Sequence, residues 1–131
     1  MCIRDRNRTL DAVRNHWDLR QTWGWDFPML AMTAARLGRP EDAVAWLFEP
    51  AGNNQWGTTG MTPRLDVEVT GPRDRQGLGT RRLADTYFPS NGALLLAVGM
   101  MAAGWDGSTR PAPGFPAKGW KVRVEGIRPL P

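Results

Sequence analysis

The residues best suited to chemistry in this sequence are carboxylates placed beside tryptophans. Asp26 follows Trp23-Gly24-Trp25 at what reads as a loop-to-helix junction. An acid there could orient water or a ligand hydroxyl. Its plainer role is a cap or first-turn carboxylate that satisfies helix N–H groups and suits the helix dipole. Asp85 is the nearest acid before the last apolar stretch. It is suited either to general-base work or to a loop ion pair with Arg81 or Arg82. Trp23 and Trp25 each offer a broad apolar ring with one N–H donor, which suits ligand clefts as well as cores. Two residues apart, they cannot share a helix face, so either one faces a cleft while the other packs, or both lie in the core. Trp56, in a long loop, is a further candidate for a cleft rim, and Asn91 for a helix cap or a ligand contact. His16 is the lone histidine and has no acid or nucleophile at useful spacing. No His/Cys cluster suggests a metal. Gly77-Leu78-Gly79 lacks the strand–turn–helix frame of a phosphate loop, so no cofactor is expected.

Helices and their ends must position these groups. Leu10, Val13 and Trp17 give an amphipathic helix over Arg8–Leu19, which begins abruptly, as a truncated helix would. Pro28 fits a helix first turn, Leu30, Ala34 and Leu37 line one face, and Gly38 ends the helix. Pro40 opens the next helix, with Glu41 and Asp42 in its first turn and Ala43, Val44, Leu47 and Phe48 as its apolar face. The two are expected to form a tight αα-hairpin. Residues 50–89 show no helical period and read as one long loop. Within it, Leu65, Val67 and Val69 alternate with Asp66, Glu68 and Thr70, a weak strand signal. Ser90 or Asn91 is expected to cap a strongly apolar helix over Gly92–Ala103, ended by Gly104. That helix is apolar nearly all round, as in one buried within a larger body. Three or four helices cannot cover it on every side, as in an incomplete repeat array. Arg110–Pro116 reads as an extended tail, and Trp120, Val122 and Val124 alternate with Lys121, Arg123 and Glu125 as a half-buried strand.

Composition narrows the class. At 131 residues the chain has room for one domain, and 41% hydrophobic residues argue against disorder throughout. The net charge of +4 does not form a basic stripe with interleaved aromatics, because Arg73, Arg75, Arg81 and Arg82 share a Gly-rich stretch with Asp74 and Asp85. Nucleic acid is therefore not an expected partner. The longest apolar run, Ala93–Ala103, is too short to span a bilayer, so no membrane partner is expected. The single cysteine, Cys2, excludes an intramolecular disulfide. Met1-Cys2-Ile3-Arg4-Asp5-Arg6 matches the translation of a common sequencing adapter, so residues 1–6 are set aside and the natural chain is expected to extend upstream.

Trp23-Gly24-Trp25-Asp26-Phe27-Pro28-Met29, then Ala34-Ala35-Arg36-Leu37-Gly38 and Glu41-Asp42-Ala43, resembles the late helical hairpin of (α/α)6 glycoside hydrolases. It is most similar to glycoside hydrolase family 95 and its six-hairpin glycosidase relatives. Tyr87-Phe88-Pro89-Ser90-Asn91-Gly92 and the helix after it resemble the last toroid helix of that family. Gly119-Trp120-Lys121-Val122-Arg123-Val124-Glu125-Gly126-Ile127 resembles the closing strand of its C-terminal β-domain. The segments span most of the chain from Gln21 on, and their order carries the resemblance. It implies a mainly α fold. Residues 7–109 form the C-terminal part of an (α/α)6 toroid, with residues 110–131 as a tail and strand of the β-domain. It further implies a longer chain whose missing N-terminal part is a partner, a poly- or oligosaccharide substrate, and possible fucosidase-like activity. Hydrolysis would be inverting, with two separated acid/base centres. The general acid would lie in an earlier hairpin, outside this chain, and the isolated chain is expected to be inactive. The tryptophans would then stack on sugar rings. The family's base is an Asp in an Asp-Gly-Asn-Phe-Gly pattern, whereas this chain carries Pro89 at that place, leaving Asp85 as the nearest substitute. A periplasmic or secreted parent would suit such a substrate. Two rival readings are a non-catalytic glycan-binding toroid and a stand-alone helical interaction module.

Overall fold

The computed structural model describes residues 3–68 and 79–131. Cys2, Val69, Thr70, Arg73, Asp74, Arg75, Gly77 and Leu78 lie outside the described residues, as do the side chains of Arg81 and Arg82. The expected Asp85 pairing with either arginine therefore falls outside them too. The described chain is mainly α: four α-helices, a short 3₁₀ turn and a two-stranded sheet.

Helix α1, Ile3–His16, buries Leu10 and Val13. It starts earlier than the apolar period indicated and stops before Trp17, which is exposed. The extra turns at Ile3–Arg6 lie in solvent, so local propensity rather than packing forms them.

Helix α2, Asp26–Arg36, and helix α3, Pro40–Leu47, form the expected hairpin. Gly38 adopts φ +75°, which only glycine takes without strain. Its N–H donates to Ala35 and that of Arg39 to Ala34, the paired bonds of a Schellman ending. Helix α2 is the central element, touching both α3 and α4. Its Ala31, Ala34 and Ala35 are fully or almost fully buried, and their small side chains let the neighbouring helices come close. The face of α3 differs from expectation. Trp46 is fully buried and Phe48 is 73% exposed. On a 3.6-residue period Trp46 falls on the Ala43 side, whereas Phe48 has turned past it.

The stretch 50–89 holds more order than its lack of helical period suggested. Gly52–Asn54 makes the 3₁₀ turn, and strands β1, Arg64–Glu68, and β2, Gly79–Ala84, pair antiparallel. The register skips Leu83, a bulge that shifts the ladder between Arg64 and Leu65. The β1 alternation was legible. Strand β2 was not, because Gly79-Thr80-Arg81-Arg82 has no apolar alternation.

Helix α4, Phe88–Ala103, begins four residues before the expected start, with Tyr87 at the cap position and Pro89 in the first turn. Ser90 and Asn91 are thus inside the helix, and no side chain caps it. Gly104 ends it with φ 92°. Ala97, Met100 and Met101 are buried, while Leu95 is 74% exposed and Leu96 is 49% exposed. Helices α2 and α4 run in the same direction. Gly24, before α2, touches Ser90 in the first turn of α4, and Arg36 at the end of α2 lies 6.0 Å from the Trp105 ring just past α4.

The tail is tied down at both ends but is not a strand. Phe115 is buried, and Gly114 packs so close to Met101 that an added Cβ would meet its side chain at 2.4 Å. At the far end, Leu130 donates to Gly104, Asp106 donates to Leu130, and Arg36 donates to the Pro131 carbonyl. Between them the expected half-buried strand does not form: Trp120 and Val124 are exposed like Lys121 and Arg123, and Val122 alone of the five is half-buried. A strand needs a neighbour for its backbone groups, and the one sheet lies elsewhere.

Candidate functional site

The N-terminal ends of α2 and α4 meet at a polar corner built from Thr22–Asp26, Asn53, Arg64 and Tyr87–Asn91. Gly24 makes the approach possible. A Cβ there would stand 2.2 Å from Ser90 Oγ and 2.4 Å from the Asn53 carbonyl oxygen. Asn53 is fully buried and joins three segments. Its Nδ2 donates to the carbonyls of Thr22 and Leu65, each at 3.0 Å, and its Oδ1 accepts the Leu65 N–H at 2.6 Å. Asn54 serves α3 instead, donating to the carbonyls of Leu47 and Glu49 at that helix's end.

Asp26 is the first residue of α2 and only 9% exposed. Its Oδ2 accepts the Trp23 N–H at 2.9 Å, while its own N–H donates to the Trp23 carbonyl at 3.0 Å. The carboxylate thus closes the turn that precedes the helix rather than capping the helix itself. Burial pushes its pKa up, and the Trp23 N–H pulls against that.

Trp23 and Trp25 are equally exposed, at 42% each, so neither the division into one packed and one open ring nor a core place for both holds. Their difference lies in their neighbours. The Arg64 guanidinium lies 3.8 Å from the centre of the Trp23 ring, a cation–π contact. Tyr87 tilts against the same indole with centroids 5.5 Å apart. Arg64 also donates to the Leu65 carbonyl.

Asn91 does not cap α4. Its Nδ2 donates to the Gly60 carbonyl at 2.8 Å and so pins the helix to the turn before β1. The cap expectation failed because α4 starts earlier, which places Asn91 at the fourth helical position. Asp85 sits exposed in the bend after β2, two residues before Tyr87. Trp56 belongs elsewhere. It lines an apolar groove of about 480 Å³ with Phe48, Leu94, Val98, Phe115 and Trp120. The Phe115 and Trp120 rings lie 5.1 Å apart.

Sequence reasoning missed Asn53, Arg64 and Tyr87. Asn53 reads as an ordinary turn residue, and Arg64 and Tyr87 are neighbours of Trp23 only through the tertiary fold. Among the described residues no group of three or more His, Cys, Asp or Glu could hold a metal ion. No helix there is long and apolar enough to cross a membrane. No family model matches the chain, and neither a curated protein nor a solved structure matches it.

Proposed function

We propose that the chain is the C-terminal part of a glycoside hydrolase with an (α/α)-toroid body, and that Trp23 is its sugar-stacking platform. The observation that carries this is the Trp23 corner. A half-exposed indole is held beside an arginine and a tyrosine where two helix N-termini meet. Sugar sites combine such an apolar face with a few fixed polar groups. The toroid part is supported by the order of α2, α3 and α4, in which two same-direction helices are linked through one that returns. A toroid repeats that alternation.

In this reading the general acid lies outside the chain. Asp85, exposed before α4, takes the base side, activating water on the opposite face of the sugar. Asp26 holds the Trp23 turn. A specific observation favours a second reading, a glycan-binding relative without turnover. The Asp26 carboxylate is already engaged by a backbone N–H, and Pro89 occupies the place where the resembled pattern carries its base.

The test is titration of the chain with a panel of plant and microbial oligosaccharides, read by tryptophan fluorescence, alongside a glycoside hydrolysis assay. Saturable binding that Trp23→Ala abolishes is expected, with no hydrolysis by the isolated chain. Binding unaffected by Trp23→Ala would remove the platform. Hydrolysis by the isolated chain would show that the acid is not outside it. The gene extended upstream separates the two readings, since only the enzyme turns over oligosaccharides.

A further inference from the structure

We infer that Asn53 is a positioning residue for the Trp23 platform, setting both the indole and the guanidinium stacked on it. The inference rests on the reading that Trp23 stacks on a sugar. Asn53 grips Thr22, the residue before Trp23, through a bond from Nδ2 of 3.0 Å. It grips Leu65, the residue after Arg64, twice: Nδ2 donates to the Leu65 carbonyl at 3.0 Å and Oδ1 accepts the Leu65 N–H at 2.6 Å. Its own carbonyl oxygen lies against Gly24, the residue after Trp23.

The indole and the guanidinium belong to segments about forty residues apart, one entering α2 and one opening β1. Their 3.8 Å stack needs those two backbones in fixed relative positions. A carboxamide is suited to that task because it donates and accepts at once in one plane. With no solvent exposure, its bonds have no water to exchange with. Asn53 thus joins the Thr22–Asp26 turn to β1 through one side chain. The open remainder of the indole, and hence the direction from which a ring can stack on it, follows from this clamp. A platform held this way loses little freedom on binding, which favours affinity.

The test uses the full chain labelled with 5-fluorotryptophan and read by fluorine NMR. Trp23→Phe assigns the platform resonance and Trp46→Phe assigns a core reporter. Asn53→Ala is expected to move the Trp23 resonance toward that of solvent-exposed fluorotryptophan while the Trp46 resonance stays in place. Arg64→Ala, which keeps the three Asn53 bonds but removes the second donor to the Leu65 carbonyl, is expected to shift the Trp23 resonance alone. Saccharide affinity should fall about tenfold in Asn53→Ala, the loss expected for a platform no longer pre-set. If both resonances move together, Asn53 is merely structural and the inference fails. If neither moves, it fails as well. Should Asn53→Ala not fold, Asn53→Ser decides by the same criterion, since its single hydroxyl buries no charge and cannot donate to both Thr22 and Leu65. The fluorine readout needs no ligand. A wild-type chain that binds no saccharide would therefore sink the functional reading while leaving the positioning result to stand or fall by itself.

Discussion

Trp23 and Trp56 are alike in residue type and in lying near loops, and they differ in what holds them. Around Trp23 the backbone is clamped by Asn53 and Asp26, and a cation covers part of the ring. Around Trp56 the neighbours are Phe48, Leu94, Val98, Phe115 and Trp120, and the groove between them is overwhelmingly apolar. The first surface can pair ring contact with fixed polar directions. The second offers mainly apolar contact, with Glu49, Asn54 and Gln55 among its lining. Tryptophan content by itself therefore says little about a sugar site. The polar frame around the ring is what separates the Trp23 corner from the Trp56 groove.

Breaking the frame should cost far more than thinning the patch. Asn53→Ala leaves the Leu65 N–H and the Thr22 carbonyl without their partner, while the Leu65 carbonyl keeps only Arg64. It should lower stability by about 3 kcal/mol, measured by urea unfolding. Gly24→Ala forces a methyl against Ser90 and the Asn53 carbonyl, for a loss of about 2 kcal/mol. Pairing it with Ser90→Gly should restore only part of that, because the carbonyl remains. On the other side of the comparison, Phe48→Ser removes a ring that is 73% exposed. Its cost should stay within about 0.5 kcal/mol. A Phe48→Ser loss as large as that of Asn53→Ala would erase the distinction between the two regions.

Two carboxylates sharpen the same contrast through pH. Burial raises the Asp26 pKa above its ordinary value of 3.8, so in the window just above that value the folded chain binds more proton than the unfolded one. Stability from this group therefore rises on acidification and is lost as pH rises through the folded pKa. Asp26→Asn should flatten that part of the stability–pH curve. Asp18 behaves oppositely, and its effect should be the smallest of the set. The hydrogen bonds from Arg20 hold its pKa down to about 2, so its contribution is present above 3.8 and fades as pH falls through about 2. Asp18→Asn should remove only that acid-side slope, and weakly, because the pair is exposed to solvent. Urea midpoints measured across acid pH for both variants check the two signs.

Much of the helical frame was legible from residue order. Pro28, Gly38, Pro40 and Gly104 mark helix starts and ends through backbone constraints that act locally, and the structure places helix boundaries at or near them. The start of α4 was misread because Ser90 and Asn91 look like caps, while Tyr87, a poor cap, takes the position ahead of Pro89. The tail failed for another reason. Its alternation is a real strand pattern, but pattern cannot supply a pairing partner. Of the candidate site, Trp23, Asp26 and Asn91 were found from residue type and place. The structure brings them to one corner, although Asn91 has a different task there, and it leaves Trp56 outside.

The sequence by itself determined that Gly38 and Gly104 end helices and Pro40 opens one, that α2 carries an apolar stripe, and that the charges form no basic stripe along the chain. These follow from φ preferences, side-chain period and composition, all properties of near neighbours in the chain. Only the tertiary structure decided that Asn53 joins Thr22 to Leu65, that Arg64 lies on Trp23, and that two equally exposed tryptophans have different surroundings. Those contacts join residues far apart in sequence, which local propensity and side-chain period cannot bring together.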